Sequence, residues 1–134
     1  MNNKLLVLGT VAYDAIETPF GKTGKILGGC ATYIGLAASH FNTECGLISI
    51  IGSDFEEEHL NLLKEKNLNL EGVEQLQGEK TFFWSGKYHN DLNTRTTLDT
   101  KLNVLTKFQP KVPENFKNSS VVLLGNLDPN IQLE

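Results

Sequence analysis

Two short apolar runs flank a stretch with helical period, and that alternation limits the fold more than any other feature. Residues 4–9 (KLLVLG) and 45–51 (CGLISII) are almost wholly apolar, and glycine closes each, Gly9 and Gly52. A strand with one wet face alternates apolar and polar residues. A continuous apolar run of this length is instead the pattern of a parallel strand covered on both faces. Between the runs, Ile34, Ala37, Ala38 and Phe41 fall at i, i+3, i+4 and i+7, one face of a helix over residues 31–41. Strand, helix and strand in succession predict an α/β chain built on a parallel sheet.

The alternation continues downstream. Ser53-Asp54-Phe55-Glu56 reads as a capping box, in which Ser53 and Glu56 satisfy each other's backbone N–H. An amphipathic helix over residues 55–66 follows, with Lys64 and Lys66 in the last turn, where positive charge suits the helix dipole, and Asn67 as its stop. Residues 68–73 predict a third short strand, and residues 121–124 (VVLL), before Gly125-Asn126, another buried parallel strand. The middle differs in character. Residues 80–88 (KTFFWSGKY) and 94–105 are rich in aromatic, Thr and β-branched residues, with Leu98, Leu102 and Val104 at even spacing and a turn signal over 89–93. They predict a β-hairpin or part of a small separate sheet. Residues 108–120, with Pro110 and Pro113, read as loop. Asp128-Pro129 announces a helix with room for only one turn before Glu134, as expected of a truncated protein.

Composition narrows the function classes. The 134 residues are 40% apolar and 21% charged, enough to build a core, and the net charge of −4 argues against a nucleic-acid surface. No apolar run approaches the roughly 20 residues of a membrane span, and there is no secretory h-region. Cys30 and Cys45 are too few for a disulfide framework or zinc site, so a reduced, cytoplasmic protein is expected. His40, His59 and His89 lack metal-ligand spacing; they read as a helix-edge, a solvated and a loop-tip histidine. Glu56-Glu57-Glu58 reads as a first-turn cluster that suits the helix dipole.

Two places could carry chemistry. Gly28-Gly29 precedes a helix whose free N–H donors suit anions or ligand hydroxyls, although a tight turn alone would account for the pair. The spacing is neither a dinucleotide fingerprint nor a P-loop, which counts against a nucleotide-binding oxidoreductase domain. Asp14 follows the first strand, at the end of an α/β sheet where ligands bind, and its carboxylate could accept hydrogen bonds from sugar hydroxyls; a solvated loop aspartate is the alternative. Phe82, Phe83 and Trp84 are adjacent on one strand and so divide between its faces, as lid or as core. Cys30 reads as a small packed residue.

In this order, residues 5–14 (LVLGTVAYD within LLVLGTVAYD), residues 28–33 (GGCATY) with their helix, and residues 47–55 (LISIIGSDF) resemble the ribokinase, or PfkB carbohydrate kinase, family. The family's usual Asn is Tyr33 here, its small residue is Gly35, and its Gly or Ser is Asn42. The resemblance implies a partial Rossmann-type, three-layer α/β sandwich with a small β-sheet lid, residues 1–134 forming the N-terminal part of one domain and the lid taking residues of about 12–27 and 80–105. It implies that Asp14 holds substrate hydroxyls, that Gly28, Gly29, Thr32 and Tyr33 line the pocket, that Phe83 and Trp84 cover it, and that Asn126 faces it. A lid would keep water from competing as phosphoryl acceptor.

By the same resemblance the reaction is transfer of the γ-phosphoryl of ATP to a sugar or nucleoside hydroxyl, with ATP and Mg²⁺ bound in the complete enzyme and neither by this segment alone. The glycine-rich signature carrying the general-base Asp is absent from this sequence, so no catalytic residue is expected here. A non-catalytic carbohydrate-binding or dimerisation module on the same half-fold is the alternative, and the aromatic hairpin is where a homodimer would form.

Overall fold

A computed structural model describes residues 3–41 and 43–134; Asn42 and the first two residues lie outside the described residues. The two apolar runs become neighbouring parallel strands, β1 (Lys4–Leu8) and β5 (Glu44–Gly52). They are flanked by β6 (Leu68–Leu76) and β9 (Val121–Leu124), giving an all-parallel sheet in the order β6-β5-β1-β9. Side-chain alternation sorts β5 between two cores. Cys45, Leu47 and Ile51 face α1 (Cys30–Ala38) and α2 (Glu57–Glu65), packing with Val7, Ala31, Ala38 and Leu63. Ile48 and Ile50 face the other way, against Leu6, Leu8, Val104, Phe108 and Phe116. That side is covered by two 3-10 turns, Asn103–Lys107 and Glu114–Phe116. Both faces of β5 are therefore dry, as its unbroken apolar sequence requires.

A second sheet stands beyond the C-terminal ends of β1 and β5. It contains β2 (Ala12–Thr18), β3 (Gly21–Lys22), β4 (Ile26–Gly28), β7 (Phe83–Tyr88) and β8 (Arg95–Lys101). β2 is its centre: it pairs antiparallel with β3 and β4 on one side and parallel with β7 on the other. β7 and β8 form the expected hairpin, with a bulge between Ser85 and Gly86. A short α3 (Pro129–Leu133) closes the described chain, capped by Asp128, whose carboxylate accepts the Asn130 N–H at 2.9 Å.

Four expectations need correction. The buried face of α1 is Ala31, Thr32, Gly35 and Ala38, while Phe41 is 74% exposed, because Gly35 rather than a larger residue allows the close approach to Leu47 and Leu68. The capping box does not form: α2 is capped at Glu56 without a side-chain bond, and the Ser53 hydroxyl donates instead to the Glu79 carbonyl. His59 is not solvated; its ring packs edge-on against Tyr13 and tilted against Phe55. β9 is not buried, since its four residues are exposed at the sheet edge, where β1 is its sole partner among the described residues.

Candidate functional site

The site is built where β1 ends. Thr10, two residues past the strand, ties it to the start of α1. Its hydroxyl accepts the Cys30 N–H at 3.0 Å and its carbonyl the Ala31 N–H at 2.9 Å. The first amides of α1 are thus partly used within the fold. Gly29 sits at φ +96°, in the left-handed region, and a Cβ there would lie 2.3 Å from the Thr10 carbonyl oxygen. Glycine is required at that position by both conformation and space.

Asp14 lies on β2, level with Ile26 of β4 and Trp84 of β7. Its carboxylate is laid over the bare Cα of Gly28: a Cβ on Gly28 would be 2.2 Å from Oδ2. The group is half-buried, and burial raises its pKa above the ordinary carboxylate value. No hydrogen bond or ion pair within the described residues compensates, whereas Glu17 on the same strand is paired with Lys22 and Lys87 at 2.9 and 3.1 Å. A carboxylate held in this way has unused acceptor capacity and a reason to take donors from outside the chain.

Residues level with one another share a face of the sheet, so Asp14 and Trp84 stand side by side with Thr100. The Trp84 ring lies along that face over Gly86, fixed by Nε1 donating to the Thr97 hydroxyl at 3.3 Å. Phe82 and Leu102, two residues before Trp84 and after Thr100, continue the same face toward the parallel sheet. There they roof a cavity of about 440 Å³, whose other walls include Thr10, Asn126, Leu127 and Ile131. Asp14, Gly28 and Gly29 are not among its lining residues; Thr10 connects the two places.

Other residues singled out from the sequence fall elsewhere. Phe83 projects from the opposite face, level with Tyr13 and Lys101, and its ring lies beneath Lys25 and Lys101 at 5.7 and 5.9 Å. Thr32 is buried, its hydroxyl without a hydrogen-bond partner among the described residues. Tyr33 is 56% exposed on the first turn of α1. Asn126 follows β9, lines the cavity, and its carbonyl lies 3.6 Å from the Cys30 thiol. The structure thus brings together Asp14, Gly28 and Trp84, joins Asn126 to them only through Thr10 and Cys30, and separates Phe83. Sequence reasoning missed Thr10 and left Phe82 between lid and core; the one signal for Thr10 was its place directly behind the strand-ending glycine, as a residue type that bonds nearby backbone.

A parallel sheet with α1 and α2 on one face, and a mainly antiparallel second sheet beyond its strand ends, define the ribokinase-like α/β fold. No family model matches the chain. In sequence it is 29% identical over 131 residues to a cytidine kinase of Thermococcus kodakarensis, across 97% of this chain and 46% of that kinase. The solved nucleoside kinase of Methanocaldococcus jannaschii, an archaeal member of the ribokinase family, superposes with a TM-score of 0.77 at 19% identity, over 98% of this chain and 47% of the other. The nucleoside kinase of Burkholderia thailandensis in complex with ADP-inosine gives 0.66 at 18%, over 77% of this chain and 38% of the other. The chain spans less than half the length of each. Its likeness to the ribokinase family therefore holds in sequence and in fold, and these relatives are kinases.

Proposed function

We propose that this chain is the substrate-binding part of an ATP-dependent kinase that phosphorylates a hydroxyl of a nucleoside. The observation that carries the reading is the unpartnered, half-buried Asp14 carboxylate held against Gly28 on the same sheet face as Trp84. A vicinal diol supplies two O–H donors to one carboxylate, and bonds to a charged acceptor are worth roughly 1.5–3 kcal/mol each. The adjoining cavity, roofed by Phe82 and walled by Leu102, Leu105, Leu127 and Ile131, offers apolar contact to a flat ring. A polyol joined to a flat base matches that sequence of surfaces; a free sugar would use only the first. The second sheet, carrying Trp84 and Phe82, serves in this reading as the lid, with Gly28 and Gly29 as the pocket floor.

ATP and Mg²⁺ are required by the reaction but are assigned no residue of this chain. Among the described residues, no three His, Cys, Asp or Glu side chains converge as a metal site. Nor does any described helix have the length and apolarity to cross a membrane. The contribution of these residues is binding and orientation, which is where phosphoryl transfer draws most of its acceleration. A non-catalytic carbohydrate-binding or dimerisation module is not favoured, because the relatives are kinases. The lid strand open to a homodimer contact at the aromatic hairpin is β8, which is exposed along its whole length.

The test is phosphoryl transfer from ATP by the complete gene product, with cytidine, inosine and ribose as acceptors. The reading expects transfer to a nucleoside in preference to ribose, and loss of transfer in Asp14→Asn. Transfer that Asp14→Asn leaves unchanged would overturn it.

A further inference from the structure

Both central strands of the second sheet leave the parallel sheet past the same short segment, residues 52–59, and both are fastened to it. On β2 the fastening is Tyr13, 3% exposed. Its ring stacks on Phe55 with centroids 5.2 Å apart, and its hydroxyl oxygen accepts the Glu56 N–H at 2.9 Å. The hydroxyl also hydrogen-bonds Nδ1 of His59, 3.0 Å away. Ahead of β7 the fastening is Thr81, 1% exposed. Its N–H and hydroxyl both donate to one oxygen of Asp54, at 2.7 and 2.8 Å, and its hydroxyl oxygen accepts the Gly52 N–H at 3.0 Å. Ser53 adds its own N–H to the Glu79 carbonyl, and Asn103 donates to the Thr81 carbonyl. Gly52 packs directly on the segment leading into β7: a Cβ there would lie 2.4 Å from the Glu79 carbonyl oxygen.

Tyr13 immediately precedes Asp14, and Thr81 lies three residues before Trp84. Tyr13 is also level with Phe83, so the two fastened strands meet one residue short of the Asp14–Trp84 pair. From this we infer that Tyr13 and Thr81 are positioning residues, through which residues 52–59 set the place of the Asp14 carboxylate and the Trp84 ring relative to Gly28. Neither residue is on the binding face; each acts through its neighbour on the strand. The glycine-aspartate turn at 52–54, which reads from sequence as a helix cap, is in this account the clasp of the lid. The inference rests on the nucleoside-site reading for its effect on binding, but not for its effect on Trp84.

Two measurements on the 134-residue chain separate the inference from that reading. In the first, without ligand, the indole N–H resonance of Trp84, the sole tryptophan, is compared in the wild type, Tyr13→Phe and Thr81→Val. Both variants keep the side-chain volume and are expected to shift the resonance while retaining a dispersed spectrum. An unmoved resonance in both folded variants would overturn the inference, whether or not the chain binds nucleosides. In the second, cytidine is titrated calorimetrically in a double-mutant cycle. Tyr13→Phe is expected to weaken binding about tenfold, the scale of one buried hydrogen bond, and to add nothing in an Asp14→Asn background. A tenfold loss that persists in that background would show Tyr13 acting on the fold rather than on Asp14, and would overturn its positioning role. If the wild type does not take up cytidine, the nucleoside reading fails and the Trp84 resonance alone decides the inference.

Discussion

Asp14 sets a binding site against the stability of the unliganded fold. Burial raises its carboxyl above the ordinary 3.8, and no cation among the described residues offsets this. A raised acid binds its proton more tightly when folded, so stability falls as pH climbs through the native pKa, and ionised Asp14 is destabilising at neutral pH. Asp14→Asn is therefore expected to raise the melting temperature at pH 7 while weakening nucleoside binding to a small measurable remainder, and the thermal gain should vanish below about pH 3.8, where both states carry the proton. Thermal melts across that range check the sign. Gly28→Ala should act on the same group by volume: the new methyl would stand 2.2 Å from Oδ2, forcing the carboxylate aside at a cost of about 1–3 kcal/mol and weakening binding with it. The thiols differ in kind. Burial pushes Cys45 up to about 11, so it should resist alkylation at neutral pH until the chain unfolds, while half-exposed Cys30 reacts first; mass spectrometry of a timed alkylation resolves the two. At this scale Asp14 and the glycine pair were legible, because an acid just past a buried strand and two adjacent glycines are unusual in sequence. Thr10 was not, and Phe82 stood undecided between lid and core, since nothing in the chain marks which residue types will be folded toward one another.

Among the elements, the apolar runs of β1 and β5 could be read directly, because a strand covered on both faces leaves no polar alternation to mistake. The face of α1 was misread. Counting apolar residues favours Ile34 and Phe41, yet the close contact goes to Gly35, whose lack of a side chain lets the helix approach Leu47 and Leu68. The Ser53–Glu56 spacing had two structural uses open to it, and the connecting segment passing at Glu79 took the serine. The 3-10 turn Glu114–Phe116 was hidden in a proline-rich loop, although it sets Phe116 against Gly46 in the second core. Phe116→Ala should therefore cost about 3–5 kcal/mol in a denaturant titration, as for other core aromatics, despite lying outside every long element.

For the whole molecule, the succession of strand and helix signals made the parallel sheet legible, and the aromatic hairpin announced part of the second one. That residues of about 12–27 would join the hairpin in one lid followed only from the family resemblance; the residues themselves do not carry it, because the stretch that forms β2 acquires its partner from a segment some seventy residues away. The described chain leaves β9 exposed, with Val121, Val122 and Leu124 each more than half accessible. An apolar edge of this kind recruits other strands. The 134-residue chain by itself is expected to self-associate in light scattering behind gel filtration, and Val122→Lys to reduce that association without loss of helix or sheet signal. A monodisperse wild-type monomer would contradict this. The second sheet matters most at Asp14, Gly28 and Trp84, which lie on its β2, β4 and β7. The direct measurement there is a fluorescence titration of Trp84 with cytidine, in wild type and Asp14→Asn. A saturable change in the wild type, moved to much higher cytidine in the variant and not reproduced by ribose at equal concentration, is what the account predicts. Superimposable titrations of the two proteins would contradict it.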